Sequence, residues 1–431
     1  MDNNIKQLLV QAQAAHDAAD WSLLIQYLQQ LILQVDSRQS DIVNNQEYLL
    51  ELALATLEMG DFQQRWEIAN VLTSLGNIAI EPLVEILEDE EAEEELRWYA
   101  AKTLGEFQHP DVIAPLVELL KTGEDEELKA IAATALGQMG TLAIPALSKL
   151  LIEEDTRLLA VRSLSCIRQT ETITALLSVV QDSQAAVRSA AIEALSSFHD
   201  ERVPPILLNA LDDLAAPVRR AAVLGLGFRP DLCETFNLVT KLQSKLYDFN
   251  LEVCCAAATA LSRMNSQDAA KELFQVLISP QTPIKLQIET IRALSWMETQ
   301  SSLKYLQQAF NQSQSETVWL EVVTVLGQIQ KSQQLTTDIL LDILQSKHPS
   351  IEISSIKSAI ALSLGQLGNI QAIEPLILLL ADANASVRLH AIAALKNLDR
   401  EAAYQKLQEL VNDGALTAEL RKGVAIALAE W

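Results

Sequence analysis

One short pattern recurs along almost the whole chain and constrains the fold more than any other feature of the sequence. It reads close to Val-Arg-x-x-Ala-x-x-x-Leu-Gly, with clear copies at residues 96–105, 128–137 and 218–227. With its leucine as the reference position, the pattern occurs twelve times between Leu75 and Leu428, at a mean spacing of about 32 residues. A regular period of this length is typical of a solenoid, in which one supersecondary unit is stacked many times.

Each repeat is predicted to contain two helices. The first carries apolar residues at i, i+3 and i+4 and a proline near its start, as in residues 80–87, 113–120 and 373–380. Proline is tolerated there because the N–H that it lacks has no intrahelical partner. The second helix is the Arg-Ala-Ala pattern itself, and no segment alternates at period two for long enough to form a strand. We therefore predict an all-α fold, a right-handed α-solenoid of about twelve helix pairs.

An aspartate–arginine spacing indicates how neighbouring repeats are held together. In three repeats an Asp precedes the Arg of the second helix by six residues: Asp182 and Arg188, Asp213 and Arg219, Asp382 and Arg388. We expect the Asp to cap the second helix, the Gly after the repeat leucine to help end it, and the Arg to reach an Asp of the adjacent repeat. This ladder is interrupted where Cys254, Gln287 and Trp319 replace the arginine.

The N-terminal part of the chain differs from the remainder. Residues 1–60 show helical periodicity without the repeated pattern. They are predicted to form a helical cap or a divergent module, since a terminal repeat must cover an otherwise exposed apolar face. Residues 61–431 are predicted to form one continuous solenoid, because no long polar linker divides them.

The composition excludes several classes of protein. Of the 431 residues 49% are hydrophobic, which is incompatible with an intrinsically disordered chain. The formal net charge of −25 argues against binding to nucleic acid phosphates. No secretory signal and no apolar run of membrane-spanning length is found. Four cysteines without metal-binding spacing are typical of a reduced, cytoplasmic protein.

No motif of a dedicated active site is present. The sequence lacks the HExxH zinc motif, the phosphate-binding P-loop and the GxSxG nucleophile elbow. The five histidines are scattered, so no metal site is expected. The adjacent Cys254 and Cys255 have two interpretations, because such thiols are either buried and inert or reactive.

Acidic residues cluster between the first and second helices of successive repeats. Stacking is expected to align them as an acidic edge, which comprises Glu90, Glu91, Glu93, Glu94, Glu124, Asp125 and Glu126. Carboxylates near a helix N-terminus favour the helix dipole and keep the surface soluble. The alternative interpretation is that the acidic edge steers a basic surface of a partner protein.

The second helices are expected to line the concave side of the solenoid, where a partner binds. If the repeat arginine is position one, positions two and six share an exposed stripe because they lie four residues apart. The stripe and its neighbours supply the partner-binding candidates Trp98, Tyr99, Lys102, Arg162, Arg220, Arg292 and His390. Trp98 beside Tyr99 is the strongest of them, since aromatic and basic side chains are common interface anchors. The alternative for Trp98 is packing on the neighbouring repeat.

The repeats resemble HEAT repeats and, more narrowly, the HEAT-like repeats of the phycobilisome-lyase family. The resemblance covers about residues 64–431 and lies in the Glu-Pro-Leu starts at Glu81 and Glu374, the Asp–Arg spacing, and the run at residues 97–105. That family includes bilin lyase subunits, which attach open-chain tetrapyrroles to phycobiliprotein cysteines. It also includes phycobilisome-degradation factors and scaffolding proteins, so the resemblance implies protein binding more firmly than chemistry.

We therefore predict a non-enzymatic scaffold or chaperone-like adaptor that holds a partner protein. The resemblance implies a phycobiliprotein or another phycobilisome component as the partner, and no cofactor is expected. The alternative is a bilin lyase or lyase-like subunit that takes a phycobilin as its substrate. It would need Arg or Lys for the propionates and Trp or Tyr for the rings. Cys254 and Cys255 are then candidates for thiols that contact the bilin.

Overall fold

The computed structural model describes residues 3–35, 45–123, 125–411 and 416–431. Within these ranges all regular secondary structure is helical, which confirms the all-α fold predicted from the sequence. The chain forms two compact units, Met1–Ile206 and Leu207–Trp431. The boundary that the sequence suggested near residue 60 lies inside the first unit.

The helices follow the predicted pairing along the chain. The first unit contains α1 Asn3–Asp17, α2 Trp21–Val35, α3 Gln46–Met59, α4 Phe62–Leu75, α5 Ile80–Glu88, α6 Glu94–Leu104, α7 Ile113–Thr122, α8 Glu126–Gln138, α9 Ile144–Leu150, α10 Arg157–Cys166, α11 Thr172–Leu177 and α12 Ala185–Leu195. The unit boundary falls within α13, Val203–Ala210. The second unit continues with α14 Ala216–Gly227, α15 Cys233–Phe236, α16 Leu238–Lys245, α17 Leu251–Met264, α18 Gln267–Ile278, α19 Ile284–Met297, α20 Gln300–Gln312, α21 Glu316–Gly327, α22 Gln333–Gln345, α23 Ser354–Leu367, α24 Ile373–Leu378, α25 Ala385–Leu398, α26 Arg400–Val411 and α27 Ala418–Ala429.

Neighbouring repeats pack through their second helices. In the first unit α6, α8, α10 and α12 contact one another in order, and in the second unit α14, α17, α19, α21, α23 and α25 do the same. The repeat leucine of every one of these helices is fully buried: Leu104, Leu136, Leu164, Leu195, Leu226, Leu261, Leu294, Leu326, Leu364 and Leu395. The period read in the sequence is therefore the period of the core, and the α-solenoid is confirmed.

Several first helices begin after a short 3-10 turn, as at Gly76–Ala79 before α5 and Ile370–Ala372 before α24. Pro82 and Pro375 each lie in the first turn of these helices, as the sequence predicts. Upstream, α1 packs on α2, α2 on α4, and α3 on α4, so the N-terminal residues also form packed helices.

The glycines of the repeat serve close helix packing. We expected them to help end the second helix, but Gly137 and Gly365 lie inside α8 and α23, and Gly227 is the last residue of α14. A Cβ atom on Gly227 would lie 2.8 Å from Cβ of Ala260, and one on Gly137 would lie 2.9 Å from Cβ of Cys166. The interpretation as helix terminators is wrong at these positions, because a residue of the next second helix occupies the space that a side chain would need.

Replacement of Gly365 by alanine tests this contact. Alanine favours a helix by about 1 kcal/mol over glycine, whereas overpacking of a tight contact costs about 1–3 kcal/mol. The new Cβ would lie 2.8 Å from both Cα and Cβ of Ala394. We expect Gly365→Ala to lower the free energy of unfolding by about 1 kcal/mol in urea denaturation. Gln366→Ala, on the exposed side of the same helix, is the control and should not destabilise. A more stable Gly365→Ala protein would contradict the close contact.

Position one of the second helix donates a hydrogen bond to a backbone carbonyl group at the end of the first helix or in the turn that follows it. Arg188 and Arg388 donate from Nη1 to the carbonyl oxygens of Asp182 and Asp382, each at 2.7 Å, and Arg97 donates from Nε to Leu87 O at 3.0 Å. At Leu87 the acceptor is one of the last carbonyl groups of a helix, which have no intrahelical partner, and a cation there also complements the helix dipole. At Asp182 and Asp382 the acceptor is in the turn between the two helices. The repeat arginine therefore closes these helix hairpins.

The predicted ladder between repeats is present in both units. Arg157 Nη1 lies 2.6 Å from Asp182 Oδ2 of the next repeat. Arg219 binds both carboxylate oxygens of Asp248 at 2.7 Å. Lys357 Nζ lies 2.7 Å from Asp382 Oδ2. The aspartates do not cap the second helices as expected. Each accepts instead from an N–H two residues later, which shapes the turn before the cap, as Asp382 does from Asn384.

The interruptions of the ladder keep the hairpin bond. Cys254 Sγ donates to Asp248 O at 3.1 Å, Gln287 Nε2 to Leu277 O at 3.4 Å and Trp319 Nε1 to Phe310 O at 3.0 Å. Three side chains of different chemistry thus replace arginine as the donor within a repeat. None of the three is a cation, however, so none can form the ion pair with the next repeat that Arg219 and Lys357 form.

Removal of the Arg219–Asp248 bridge should destabilise the protein. Both side chains are mostly buried, and loss of one partner of a buried pair costs about 3 kcal/mol. The hydrogen bond from Arg219 lowers the pKa of Asp248 below its value in the unfolded chain. The contribution of Asp248 to stability is therefore complete above about pH 4 and is lost as the pH falls through the lower folded-state pKa.

We expect Asp248→Asn to lower the free energy of unfolding by about 3 kcal/mol at pH 7 in urea denaturation. The difference from the native protein should shrink as the pH falls below about 4. Glu252→Gln breaks the exposed pair with Lys285 and should change the free energy of unfolding much less than Asp248→Asn does. Equal losses in the free energy of unfolding for the two variants would show that the buried bridge stabilises the protein no more than an exposed ion pair does.

Candidate partner-binding site

The structure brings the acidic edge and the aromatic candidates together in one cleft of the first unit. The cleft has a volume of about 320 Å³ and lies between the N-terminal ends of α4, α6 and α8. We call it the acidic aromatic cleft, and its lining residues are Phe62, Glu94, Glu95, Trp98, Tyr99, Asp125, Glu127 and Leu128. The acidic edge and the aromatic candidates, which the sequence suggested separately, therefore meet in this cleft.

Three aromatic rings from two helices form one wall of the cleft. Tyr99 is fully buried between Phe62 and Trp98, with ring centroids 5.8 Å and 5.1 Å away and edge-to-face geometry. Its hydroxyl donates to Phe62 O at 3.0 Å, and burial raises the pKa of the tyrosine. The side chain of Tyr99 fixes the rings on either side, and its direct contact with a partner stays a prediction. Phe62 is 63% exposed and Trp98 is half-buried.

The carboxylates of the cleft differ in how they are engaged. Glu95 pairs with Arg65, with 3.2 Å between Oε2 and Nη1, and Asp125 caps α8 by accepting from Leu128 N at 2.7 Å. Within the part of the chain that the structure describes, Glu94 and Glu127 are exposed and form no ion pair. These two carboxylates therefore leave negative charge in the cleft.

The other residues of the acidic edge surround the cleft. Glu90 and Glu91 are exposed, Glu93 pairs with Arg65 at 3.2 Å, and Glu126 pairs with Lys129 at 3.0 Å. Glu124 lies outside the described residues.

Lys102 lies one turn beyond Trp98 on α6 and is already engaged. Its Nζ lies 4.1 Å from the ring centroid of Trp66 on α4 and 3.1 Å from Glu106 Oε1. It therefore bridges neighbouring repeats, and any contact with a partner would have to compete with these interactions.

The remaining candidates lie on separate helices. Arg162 is exposed on α10 of the first unit. In the second unit Arg220 is exposed on α14, whereas Arg292 on α19 pairs with Glu321 of α21 at 2.7 Å. His390 on α25 is half-buried, with Nδ1 2.7 Å from Ser386 O. The structure brings together only the candidates on α6.

The adjacent cysteines fit the inert interpretation. Cys254 is buried and holds the hairpin bond described above, and burial raises its pKa. Burial raises the pKa of Cys255 to about 11, with Glu289 acting in the same direction. Both thiols are therefore protonated at neutral pH, whereas the thiolate is the nucleophilic form.

A second cleft follows from the missing ladder bridge. It has a volume of about 380 Å³ and is lined by Gln287 and Ser313, which occupy the positions of Arg and Asp in a complete bridge. Ser313 Oγ accepts from Ser315 N at 3.1 Å, as Asp248 Oδ1 accepts from Asn250 N elsewhere. The turn is thus preserved while the charged pair is absent, and we attribute this cleft to the repeat irregularity.

The double variant Gln287→Arg with Ser313→Asp should restore the bridge. We expect the two substitutions to stabilise each other by about 1 kcal/mol or more in a double-mutant cycle measured by urea denaturation. Gln287→Arg with Gln314→Asp places the carboxylate one residue away and is the matched control. Additive effects in both pairs would contradict the assignment of the cleft to a missing bridge.

Neither a metal centre nor a single membrane-spanning helix is found in the described ranges. No three His, Cys, Asp or Glu side chains come together there as metal ligands. No individual helix there is both long and apolar enough to cross a membrane, although Glu126–Gln138 and Gly140–Leu150 pass by length and composition as a pair bent by 119°.

Comparison with known proteins identifies the repeats. A family model of HEAT repeats matches residues 80–157, 144–227 and 354–429, which together make up more than half of the chain. The chain belongs to the HEAT-repeat family. No curated protein matches this HEAT-repeat chain significantly in sequence.

Several solved structures share the HEAT-repeat fold. Kap95p bound to RanGDP is 13% identical with a TM-score of 0.58, over 88% of this chain and 60% of that chain. Importin beta is 13% identical with a TM-score of 0.55, over 88% of this chain and 61% of that chain. The complex of CpcE and CpcF of phycocyanin lyase from Nostoc is 20% identical over 55% of this chain and 93% of that chain, but its TM-score is 0.28. The first two show the fold alone, and this HEAT-repeat chain spans about three fifths of each.

Sequence reasoning missed Phe62, Glu95 and Glu127 as lining residues of the cleft. Phe62 belongs to α4, where the repeated pattern is weak. A signal was nevertheless present, because Phe62 and Trp66 lie four residues apart on a different face from the buried Ile68 and Leu72. Two aromatic side chains outside the apolar face of a helix indicate an exposed aromatic stripe.

Proposed function

We propose that this HEAT-repeat protein is a protein-binding adaptor. The repeated positions are used internally, by the core leucines, the glycine contacts and the ladder. The side chains that differ between repeats and remain exposed are the ones available to a partner. The observation that carries the proposal is the acidic aromatic cleft, where the exposed Phe62 and the half-buried Trp98 lie beside the carboxylates of Glu94 and Glu127, which form no ion pair with the residues that the structure describes.

The partner is proposed to present a basic surface. The net charge of −25 and the exposed acidic edge favour attraction of a positively charged protein and faster association with it. A phycobiliprotein is our specific candidate. That choice rests on the resemblance of the repeat sequences to the phycobilisome-lyase family.

The bilin-lyase alternative fits the cleft less well. The propionate groups of an open-chain tetrapyrrole would lie beside carboxylates in the acidic aromatic cleft, and like charges repel. The adaptor is therefore the function that these side chains support best.

Loss of exposed anchors should weaken partner capture without unfolding the protein. We expect the double variant Trp98→Ala and Arg220→Ala to retain about tenfold less partner than the native chain in affinity purification from the source cells. The circular dichroism spectrum should stay unchanged. The control variant Trp296→Ala with Arg168→Ala also removes one tryptophan and one exposed arginine, at positions outside the cleft, and should retain the partner.

Retention of no protein by the native chain above the level of the beads alone would contradict the adaptor proposal, and identical retained sets for the native chain and the Trp98/Arg220 variant would place the partner surface elsewhere on the chain. The specific partner is tested separately by titration calorimetry with purified phycocyanin subunits. Absence of binding in the calorimeter would exclude the phycobiliprotein as the partner. The adaptor proposal itself would still be decided by the affinity purification.

A further inference from the structure

The walls of the acidic aromatic cleft are exposed but fixed. The side chain of Asp61 accepts from Gln64 N at 2.9 Å while Gln64 Oε1 accepts from Asp61 N at 2.9 Å, so the start of α4 is firmly capped. The hydroxyl of Tyr99 holds the carbonyl group of Phe62 from the next repeat. Because Phe62 is already ordered while 63% exposed, a ligand that covers it pays little entropy for ordering the site.

The negative charge of the cleft determines which ligands can bind against these walls. Arg65 is buried and satisfies Glu93 and Glu95, and the side chain of Asp125 is engaged in capping α8. Glu94 and Glu127 remain exposed at the first turns of α6 and α8. An apolar or anionic group placed on the aromatic wall would leave these carboxylates desolvated, whereas a cation would pair with them.

The size of the cleft further limits which ligands it can bind. A volume of about 320 Å³ is at the small end for a ligand pocket and suits one long side chain with its flanking backbone. A guanidinium group stacks on aromatic rings, binds carboxylates through paired hydrogen bonds and is less strongly hydrated than an ammonium group. The chain itself uses this chemistry in the second unit, where Arg263 lies 4.2 Å from the ring centroid of Phe228.

We infer that the acidic aromatic cleft binds an arginine side chain from a basic segment of the partner protein, with Phe62 and Trp98 against the guanidinium plane and Glu94 and Glu127 as its counter-charges. This inference rests on the proposed adaptor function and names the chemical group that the adaptor recognises.

Fluorescence anisotropy with the full-length protein tests the inference. The probe is a fluorescein-labelled peptide, Gly-Ser-Arg-Arg-Gly-Ser, compared with peptides that carry lysine or citrulline in place of both arginines. We expect the lysine peptide to bind several-fold more weakly, because an ammonium group neither stacks nor binds in a bidentate way. The citrulline peptide keeps the shape but loses the charge, and should bind about tenfold more weakly or not at all.

Variants of the protein separate the cleft from the general acidity of the chain. Glu94→Gln with Glu127→Gln should weaken the arginine peptide about tenfold, and Trp98→Ala should do so by a similar factor. Glu81→Gln with Glu85→Gln removes the same charge from the exposed side of α5, outside the cleft, and should change affinity less than about twofold. Equal losses for the two charge variants, or equal binding of the arginine and citrulline peptides, would overturn the inference.

Failure of the inference and failure of the adaptor proposal give different results. If the native chain retains its partner from cells while the arginine peptide does not bind, only the arginine-binding role is lost. If the peptide binds as expected while the native chain retains no protein from cells, the cleft binds arginine but the adaptor proposal falls.

Discussion

The close contact between successive second helices is the constraint on which the rest of each unit depends. At Gly227 and Gly365 the next helix lies so near that even a methyl group would collide with it. This spacing brings the turn between the first and second helices of each repeat within reach of the preceding repeat. The bridges Arg219–Asp248 and Lys357–Asp382 can therefore form between residues 29 and 25 positions apart. Glycine packing and ion pairing thus belong to one geometry, in which short helices share a buried seam.

The fold could be predicted from the sequence because its information is periodic. The repeat leucines mark the core and the prolines mark helix starts. Each of these patterns can be recognised from a single residue in each repeat. The role of glycine could not be read in the same way. A glycine after the last apolar residue is a common helix terminator, and only the distance from Gly365 to Ala394 distinguishes termination from close packing. The aspartate turns were misjudged for a related reason, since a shift of two residues separates a helix cap from the turn before it.

The candidate site was less predictable because it is assembled from three helices. Trp98 and the acidic residues could be found individually, but their meeting with Phe62 depends on how α4 stacks against α6. Tyr99 shows how much one residue matters. Neighbouring residues on a helix point about 100° apart, so Trp98 reaches the surface while Tyr99 enters the core. The repeat register placed Trp98 on the exposed stripe but could not show that Tyr99 beside it is enclosed by the surrounding helices.

In a repeat protein, structural irregularities can be distinguished from functional ones, because each position can be compared with the equivalent position in the other repeats. Where Trp319 replaces arginine, its indole N–H takes over the hairpin bond and its ring packs near Phe310 and His348, so the change is satisfied internally. At the acidic aromatic cleft the departures from the repeat are not satisfied in this way. Phe62 faces solvent, and within the described residues Glu94 and Glu127 lack a cation although Arg65 neutralises Glu95 nearby. Exposed rings beside uncompensated charge contribute little to stability. Exposed rings beside uncompensated carboxylates become favourable when a partner covers the rings and pairs with the charge.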